Sequence, residues 1–324
     1  PGFCKATGAI ASSGKPSFSS VFGEAAVELA ARHPEIHAIT AAMKDGTGLT
    51  PFAEAHWDRF HDVGIAEEHA VTYAAGLAIG GLRPICAIYA TFMQRALDCV
   101  YHDVVLPQLP VIFTLDRAGA VEDGPTHHGI YDLGFLRALP GLTVMAPRSG
   151  AELRRMLEFA YELKRPVAIR YPRGGESAVL AAYGCSGKAY DRMHTAPGAQ
   201  VALVSYADEV EDVLCAAKLL GEKKLPCDVY KLVKIYPFTD EFIEEISRYD
   251  VILFAEECVA CGGIGEHLEA ALYRSGWKGT YIHRAVENLR LPHATVPQIK
   301  EATGLDAAHL AQTIRETVKG ETVS

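Results

Sequence analysis

The stretch F-H-D-V-G-I-A-E-E-H-A-V-T-Y-A-A-G-L-A-I, residues 60–79, decides the fold class. We interpret residues 60–66 as a strand and Glu67–Ile79 as a helix, because the later apolar side chains recur at helical spacing. Two carboxylates, Glu67 and Glu68, stand where the strand ends and the helix begins. A strand that leads directly into a helix is the repeating unit of α/β proteins, so this junction predicts a mostly parallel sheet covered by helices.

The same alternation continues along the chain on both sides of this junction. In the first half it predicts strands at 36–41, 84–89, 111–116, 143–146 and 167–170, and helices at 21–32, 92–102 and 150–163. In the second half it predicts strands at 201–205, 227–231, 251–256 and 280–283, and helices at 209–220, 241–248, 265–274, 296–302 and 307–318. The fold class predicted is therefore α/β throughout.

Length and composition predict two domains. The chain has 324 residues, of which 49% are hydrophobic, and a single core stops growing at roughly 250–300 residues. Residues 174–198 break the pattern with Gly, Ser and Pro, as a domain boundary does. We predict a first α/β domain at 17–178, a linker at 179–198 and a second α/β domain at 199–324, with residues 1–16 a linker or trimmed end.

Charge, hydropathy and cysteine usage exclude several classes of protein. A formal net charge of −9 argues against a nucleic-acid surface, and the most apolar region, 71–90, is interrupted by Gly, Arg and Pro, so no membrane span is expected. Eight irregularly spaced cysteines are typical of reduced thiols in the cytoplasm. Cys258 and Cys261 form a C-x-x-C without a second ligand pair, and we predict no metal site on this chain.

Polar and aromatic residues gather where two predicted strands end, which is where open α/β sheets bind ligands. Glu67 follows the strand predicted at 60–66. Tyr89 ends the strand predicted at 84–89, and Phe92 and Arg95 follow it. A first-turn acid also complements the helix dipole by about 0.3–1 kcal/mol, and an aromatic ring also fills a core. Glu67 and Phe92 therefore have ordinary structural explanations when each is taken alone.

Two further strand ends carry titratable groups. The segment D-R-A-G-A-V-E-D-G-P-T-H-H-G, 116–129, places Arg117, Asp123 and His127 in a polar loop, and R-Y-P-R-G, 170–174, adds Arg173. Loops of this composition are the usual location of function, and arginine suits the bidentate recognition of phosphate or carboxylate. Four strand ends therefore converge on an acid, an aromatic platform, a histidine and an anion site.

Taken together, D-V-G-I-A-E-E-H-A-V-T, I-Y-A-T-F-M-Q-R, D-R-A-G with D-G-P-T-H-H-G, and R-Y-P-R-G resemble the 1-deoxy-D-xylulose-5-phosphate synthases. These transferases are thiamine-diphosphate enzymes related to transketolase that supply isoprenoid and thiamine biosynthesis. The resemblance runs from about residue 17 and includes E-E-C-V-A-C-G-G-I-G in the second domain. One departure is a loop shorter by one residue before D-G-P-T-H, which reads E-D-G-P-T-H as in transketolases.

The resemblance implies a role for each residue at the cofactor. Glu67 corresponds to the catalytic acid that hydrogen-bonds N1′ of the aminopyrimidine of thiamine diphosphate and so assists deprotonation of its thiazolium C2. Phe92 resembles the ring that stacks on the pyrimidine. Tyr89 and Arg95 resemble neighbours that shape the same pocket, and Tyr89 also reaches the substrate side.

The resemblance also implies the substrates, which are pyruvate and D-glyceraldehyde 3-phosphate. His127 and Asp123 resemble groups that meet the aldehyde substrate, His127 assisting proton transfers. Arg117 and Arg173 resemble the clamp on its phosphate. Two guanidinium groups suit a phosphate dianion through charge-assisted hydrogen bonds.

The resemblance covers only the pyrimidine-binding domain, at 17–178, and the C-terminal domain, at 199–324. The family's diphosphate-binding domain carries a G-D-G motif that holds Mg²⁺, and no G-D-G occurs here. A diphosphate-binding domain in the same or another chain, a homodimer and an inactive lone chain are therefore expected. Two alternatives stay open: the C-terminal half of a transketolase or 2-oxo-acid dehydrogenase β subunit, and a noncatalytic partner that keeps the fold.

Overall fold

A computed structural model of the chain describes residues 7–8, 16–287, 291 and 293–319. The N-terminal linker predicted at 1–16 therefore lies outside the described residues except at positions 7, 8 and 16. Within the described ranges, none of the helices combines the length and the hydropathy that are required to cross a bilayer.

The strands of the described residues form two sheets. They are β1 Ile36–Thr40, β2 Phe60–Asp62, β3 Arg83–Tyr89, β4 Ile112–Asp116, β5 Thr143–Met145, β6 Val167–Arg170, β7 Tyr190–His194, β8 Val201–Tyr206, β9 Cys227–Leu232, β10 Lys234–Tyr236, β11 Val251–Val259 and β12 Thr280–Val286. One sheet has the order β10-β5-β6-β4-β3-β1-β2 and the other has the order β12-β11-β8-β9-β7. Only β10 with β5 and β7 with β9 pair antiparallel among these strands.

Helices connect most of these strands. They are α1 Phe18–Arg32, α2 Thr50–Ala55, α3 Glu67–Ile79, α4 Leu97–Cys99, α5 Asp132–Leu136, α6 Gly150–Leu163, α7 Ala178–Ala181, α8 Val210–Glu222, α9 Asp240–Ile246, α10 Ile264–Ser275, α11 Val296–Thr303 and α12 Ala307–Lys319. Two mostly parallel sheets with helices confirm the predicted α/β fold class.

The first sheet is buried under helices, as β3 and α3 show. Every residue of β3 is buried, as expected for a central parallel strand that is covered on both faces. The residues of α3 that face the core recur at helical spacing, and four of them are alanine, so the helix can lie close to the sheet. They are Glu67, Ala70, Val71, Ala74, Ala75 and Ala78.

Several features differ from the sequence predictions. The strand predicted at 60–66 is shorter and ends at Asp62, at the edge of the first sheet. The helix predicted at 92–102 is instead a 3₁₀ turn at Met93–Ala96, the short helix α4 and a π-helix at Val100–Val105. The segment predicted as a linker at 179–198 contains β7, which forms the edge of the second sheet. The unpredicted strand β10 lies in the second half of the sequence but pairs with β5 of the first sheet. These pairings depend on partners distant in sequence, which periodicity does not report.

A buried ionic network joins the two halves. The Arg148 guanidinium lies 3.1 Å from a Glu152 oxygen and 2.7 Å from an Asp191 oxygen. The Lys231 ammonium lies 2.7 Å from the other Glu152 oxygen, and all four side chains are buried. Charges away from water need compensation, so Glu152 neutralises one cation from each half of the chain.

We expect Glu152→Ala to lower the free energy of unfolding by about 3–5 kcal/mol, because it leaves Arg148 and Lys231 short of a buried counter-charge. Urea denaturation of the chain measures this change. The matched control is Glu24→Gln, since Glu24 pairs with Arg154 on the surface and exposed pairs contribute at most about 1 kcal/mol. Equal losses in the two variants would contradict the prediction.

Candidate functional site

Parallel pairing brings the predicted site residues to one edge of the first sheet. Tyr89 at the end of β3 lies opposite Asp116 at the end of β4, and Leu115 of β4 lies opposite Arg170 at the end of β6. The carboxyl ends of these strands therefore lie side by side. The residues that follow them, including Phe92 and Arg117, enter the same space from neighbouring strands.

Glu67 is the first residue of α3 and is only 3% exposed. Its carboxylate accepts hydrogen bonds of 3.2 and 3.3 Å from Nη1 of Arg95. The preceding residue, Ala66, provides no side-chain cap for the helix, and Glu67 lies in its first turn, where a negative charge complements the helix dipole. Glu68, one residue later, is exposed. The two adjacent carboxylates thus occupy opposite environments.

An aromatic platform lies next to this acid. The Phe92 ring stacks on the Tyr89 ring with 5.6 Å between centroids and 13° between planes. The His127 ring meets Phe92 edge-on at 5.5 Å, and the Arg95 guanidinium lies 5.6 Å from the Phe92 centroid. Burial raises the pKa of the Tyr89 hydroxyl to about 12, so this hydroxyl stays neutral.

Arg117 lies on the other side of the platform, with its guanidinium carbon 3.9 Å from the Tyr89 ring centroid. Its Nη1 donates to the Gly46 carbonyl and to Asp116, at 3.0 Å in each case. Its backbone is in the left-handed region at φ 61°, which is uncommon for a residue other than glycine and costs on the order of 1 kcal/mol. Strained backbone of this kind concentrates at functional sites.

Asp123 and Arg173 complete the anion side. Nη1 of Arg173 lies 2.9 Å from one Asp123 oxygen, and Nε of Arg117 lies 3.7 Å from the other. His127, in the same loop, has Nδ1 2.9 Å from the Thr126 hydroxyl oxygen. The loop is one residue shorter before D-G-P-T-H than in the synthases that it resembles, and Glu122 stands there. Asp123 nevertheless lies between the two arginines.

Asp116 is a site residue that the sequence analysis did not single out. Its buried carboxylate accepts a 2.6 Å hydrogen bond from the Ser19 hydroxyl and pairs with Arg117. Burial raises its pKa to about 6, although the Arg117 charge and the hydrogen bonds oppose that shift. Its position at the end of β4, directly before Arg117, was the available signal.

His128, which the sequence analysis left without a role, is buried at the back of the loop. Its Nδ1 accepts a 3.0 Å hydrogen bond from the Val121 amide. Burial lowers the pKa of the imidazole, with smaller contributions from His293 and His127. His128 is therefore a neutral group that ties together two points of the loop.

All eight predicted site residues therefore belong to one chain of contacts. It runs from Glu67 through Arg95, Phe92 with His127, Tyr89, Arg117 and Asp123 to Arg173. A buried carboxylate beside an aromatic face fits a protonated nitrogen heterocycle, and paired arginines fit a phosphate dianion. Among the described residues, no group of three or more His, Cys, Asp or Glu side chains could hold a metal ion.

Two family comparisons cover most of the chain. Residues 14–175 match the transketolase pyrimidine-binding domain, and residues 192–310 match the transketolase C-terminal domain. The two matches occur in the order that the sequence predicted.

Among curated proteins, the chain resembles enzymes named 1-deoxy-D-xylulose-5-phosphate synthase. The relative from Magnetococcus marinus is 42% identical over 97% of this chain and 51% of its own length. The relative from Chlorobium luteolum is 43% identical over 93% of this chain and 48% of its own length. The chain thus spans about half the length of the curated relatives that it matches.

Solved structures agree with the fold. A structure titled split gene transketolase, inactive beta4 tetramer, has a TM-score of 0.82 and 27% identity, and the match covers 93% of this chain and 97% of that one. A Campylobacter jejuni transketolase has a TM-score of 0.77 at 16% identity, covering 94% of this chain and 47% of that one. The chain therefore belongs to the transketolase family, of which it carries the pyrimidine-binding and C-terminal domains.

Proposed function

We propose that this chain provides the pyrimidine side and the aldehyde side of an active site that condenses pyruvate, with decarboxylation, and D-glyceraldehyde 3-phosphate to 1-deoxy-D-xylulose 5-phosphate. The observation that carries this proposal is the chain of contacts from the buried Glu67 carboxylate to the Arg117–Asp123–Arg173 group. It links a site for a heterocycle to a site for a phosphate across one aromatic platform. The named relatives support the choice of substrates.

Glu67 has the environment that the cofactor role requires. A carboxylate away from bulk water interacts more strongly with a neighbouring positive charge, since little solvent screens it. Arg95 orients this carboxylate from one side, and the Phe92 ring lies beside Arg95. We propose that Glu67 holds the proton on the pyrimidine nitrogen, while Phe92 stacks on the ring and Tyr89 supports Phe92 from behind.

The arginines supply affinity for the aldehyde phosphate. Arg173 is partly exposed and bonds only to Asp123 among the ion pairs of the described residues, so it is free to reorient toward a dianion. Arg117 is held by Asp116 and Gly46 and stays in place. We propose that Arg117 and Arg173 clamp the phosphate and that Asp123 binds hydroxyl groups of the same substrate.

When bound, thiamine diphosphate would supply the nucleophilic carbon needed to decarboxylate pyruvate and transfer the remaining two-carbon unit. The His127 ring lies 5.5 Å from the Phe92 ring in a T-shaped arrangement, in the loop that also carries Asp123. From there its imidazole can donate a proton to the aldehyde oxygen as the new carbon–carbon bond forms. General acid catalysis of this kind contributes typically about 10²–10⁴-fold.

The proposal requires a diphosphate-binding domain, in the same or another chain, that holds Mg²⁺ and the diphosphate. It also includes assembly as a homodimer. The second candidate function, a subunit of a transketolase, is favoured by the likeness to the split-gene transketolase chain, which is matched over 97% of its length. Consumption of pyruvate with release of CO₂ separates the two, because transketolase takes a ketose phosphate as donor.

In an assembly reconstituted with a diphosphate-binding domain, Mg²⁺, cofactor and both substrates, we expect Glu67→Gln to lower kcat by about 10²–10⁴-fold, since the amide cannot hold the pyrimidine proton. Turnover is measured by CO₂ release and ketose phosphate formation. The matched control is Glu68→Gln, one residue away and exposed, which should keep wild-type activity. A Glu67→Gln assembly as active as wild type would rule out the catalytic role and favour a noncatalytic partner.

We expect Arg173→Met to raise the KM for D-glyceraldehyde 3-phosphate by about 10–100-fold while the KM for pyruvate stays within about twofold, because one charge-assisted bond to the phosphate is lost. Initial rates with each substrate varied in turn measure both values. Arg165→Met is the control, since exposed Arg165 precedes β6 at its opposite end. A parallel rise in both KM values would contradict the assignment of Arg173 to the phosphate.

The chain alone should bind thiamine diphosphate at least about 100-fold more weakly than the reconstituted assembly, because it lacks two or more charge-assisted bonds to the diphosphate. Isothermal calorimetry in the presence of Mg²⁺, with and without the diphosphate-binding domain, measures the difference. Tight binding by the isolated chain would show that the diphosphate ligands lie on this chain, contrary to the proposal.

A further inference from the structure

The loop that carries Asp123 and His127, residues 117–130, is bound at both ends by one strand of the second domain. Near its start, the Ala120 amide donates a 2.8 Å hydrogen bond to Oε2 of Glu257. At its end, the Ile130 carbonyl accepts from the Val259 amide at 2.9 Å and from the Cys258 thiol at 3.0 Å. Three consecutive residues at the end of β11 therefore hold the loop.

The neck of the loop is closed between these two anchor points. Gly119 and Gly129 exchange backbone hydrogen bonds of 2.8 and 2.9 Å. Gly119 has φ +87°, and a Cβ at this position would lie 2.7 Å from Oε2 of Glu257. Only glycine combines that backbone with so close an approach, so the Glu257 carboxylate lies directly against the neck.

Glu257 is itself fixed by a buried cation. The Lys300 ammonium on α11 lies 2.9 Å from Glu257 and also 2.9 Å from both Glu209 and Asp212. Burial alone would lower the Lys300 pKa, but these carboxylates, with Asp208, raise it well above its usual value. Lys300 is thus a permanent positive charge that keeps Glu257 oriented toward the loop.

The neighbouring residue Glu256 contacts only residues of the second domain among the described hydrogen bonds and ion pairs. Its carboxylate accepts from the Gly265 amide at the start of α10 at 2.8 Å and lies 2.8 Å from Nε2 of His283. The two adjacent acids of the E-E-C segment therefore have separate partners. Glu256 joins α10 and β12 of its own domain, whereas Glu257 reaches across to the first domain.

We infer that Glu257, oriented by Lys300, is a positioning residue that holds the 117–130 loop so that Asp123 and His127 meet the aldehyde substrate. This inference rests on the proposed function, and it assigns the second domain a direct part in aldehyde binding. Glu257 acts through the Ala120 amide and the neck, not by touching the substrate. Without that acceptor, the Ala120 amide would be left unpaired in a buried position.

The test is hydrogen exchange on the chain, combined with kinetics of the reconstituted assembly, for Glu257→Ala. Amides of residues 118–130 should exchange at least about tenfold faster than in wild type, because the loop loses one anchor. The KM for the aldehyde phosphate should rise by about tenfold, while the dissociation constant of thiamine diphosphate changes less than about twofold. Lys300 keeps three other carboxylates in this variant, so its charge stays compensated.

The matched control is Asp212→Asn, which removes a different Lys300 partner that does not contact the loop and should leave loop exchange unchanged. Glu257→Gln is the second variant and keeps an acceptor oxygen, so it should give smaller changes than Glu257→Ala and serves if the alanine variant does not fold. If a folded Glu257→Ala chain exchanges its loop amides at the wild-type rate, the inference is overturned. If only Glu257→Gln folds, the inference is overturned when that variant exchanges at the wild-type rate and the Ala120 amide is already unprotected in the wild-type chain. A wild-type assembly that forms no product would overturn the proposed function and the link to aldehyde binding. The anchoring of the loop by Glu257 would still be tested by exchange, which does not depend on turnover.

Discussion

The parallel register of the first sheet is the constraint on which the site depends. Tyr89 lies opposite Asp116, and Leu115 lies opposite Arg170, so three strands end within one residue of each other. A shift of the pairing by one residue would turn every side chain to the other face of the sheet. The aromatic platform and the arginines meet only because this register places their strand ends side by side.

Burial at that edge makes each charge depend on a specific partner. Glu67 relies on Arg95, and Asp116 relies on Arg117 and the Ser19 hydroxyl. Because both carboxylates are buried, solvent screens them little, and removal of a partner would leave a buried charge with less compensation. The same low screening would strengthen the interaction of Glu67 with the cationic heterocycle that we propose it binds.

The second domain supplies contacts that hold the loop at this edge of the first sheet. The residues Glu257–Val259 bind both ends of the loop that the first domain presents, and the Arg148–Glu152–Lys231 network joins the two sheets elsewhere. With the pairing of β10 and β5, these contacts join the two domains at three places. The position of the loop is thus a property of the pair of domains, and neither half contains all the atoms that define it.

The sequence by itself determined the order of the longer helices and of most strands, because hydrophobic periodicity is a local signal; α3, α6 and β6 have the predicted bounds. It also placed the polar residues at strand ends, where the topology of an α/β sheet gathers them. Only the tertiary structure decided the mixed turns in place of the helix predicted at 92–102, the pairing of β10 with β5 and the contact of Glu257 with the loop. Each of these depends on packing between segments distant in sequence, which leaves no period in the chain.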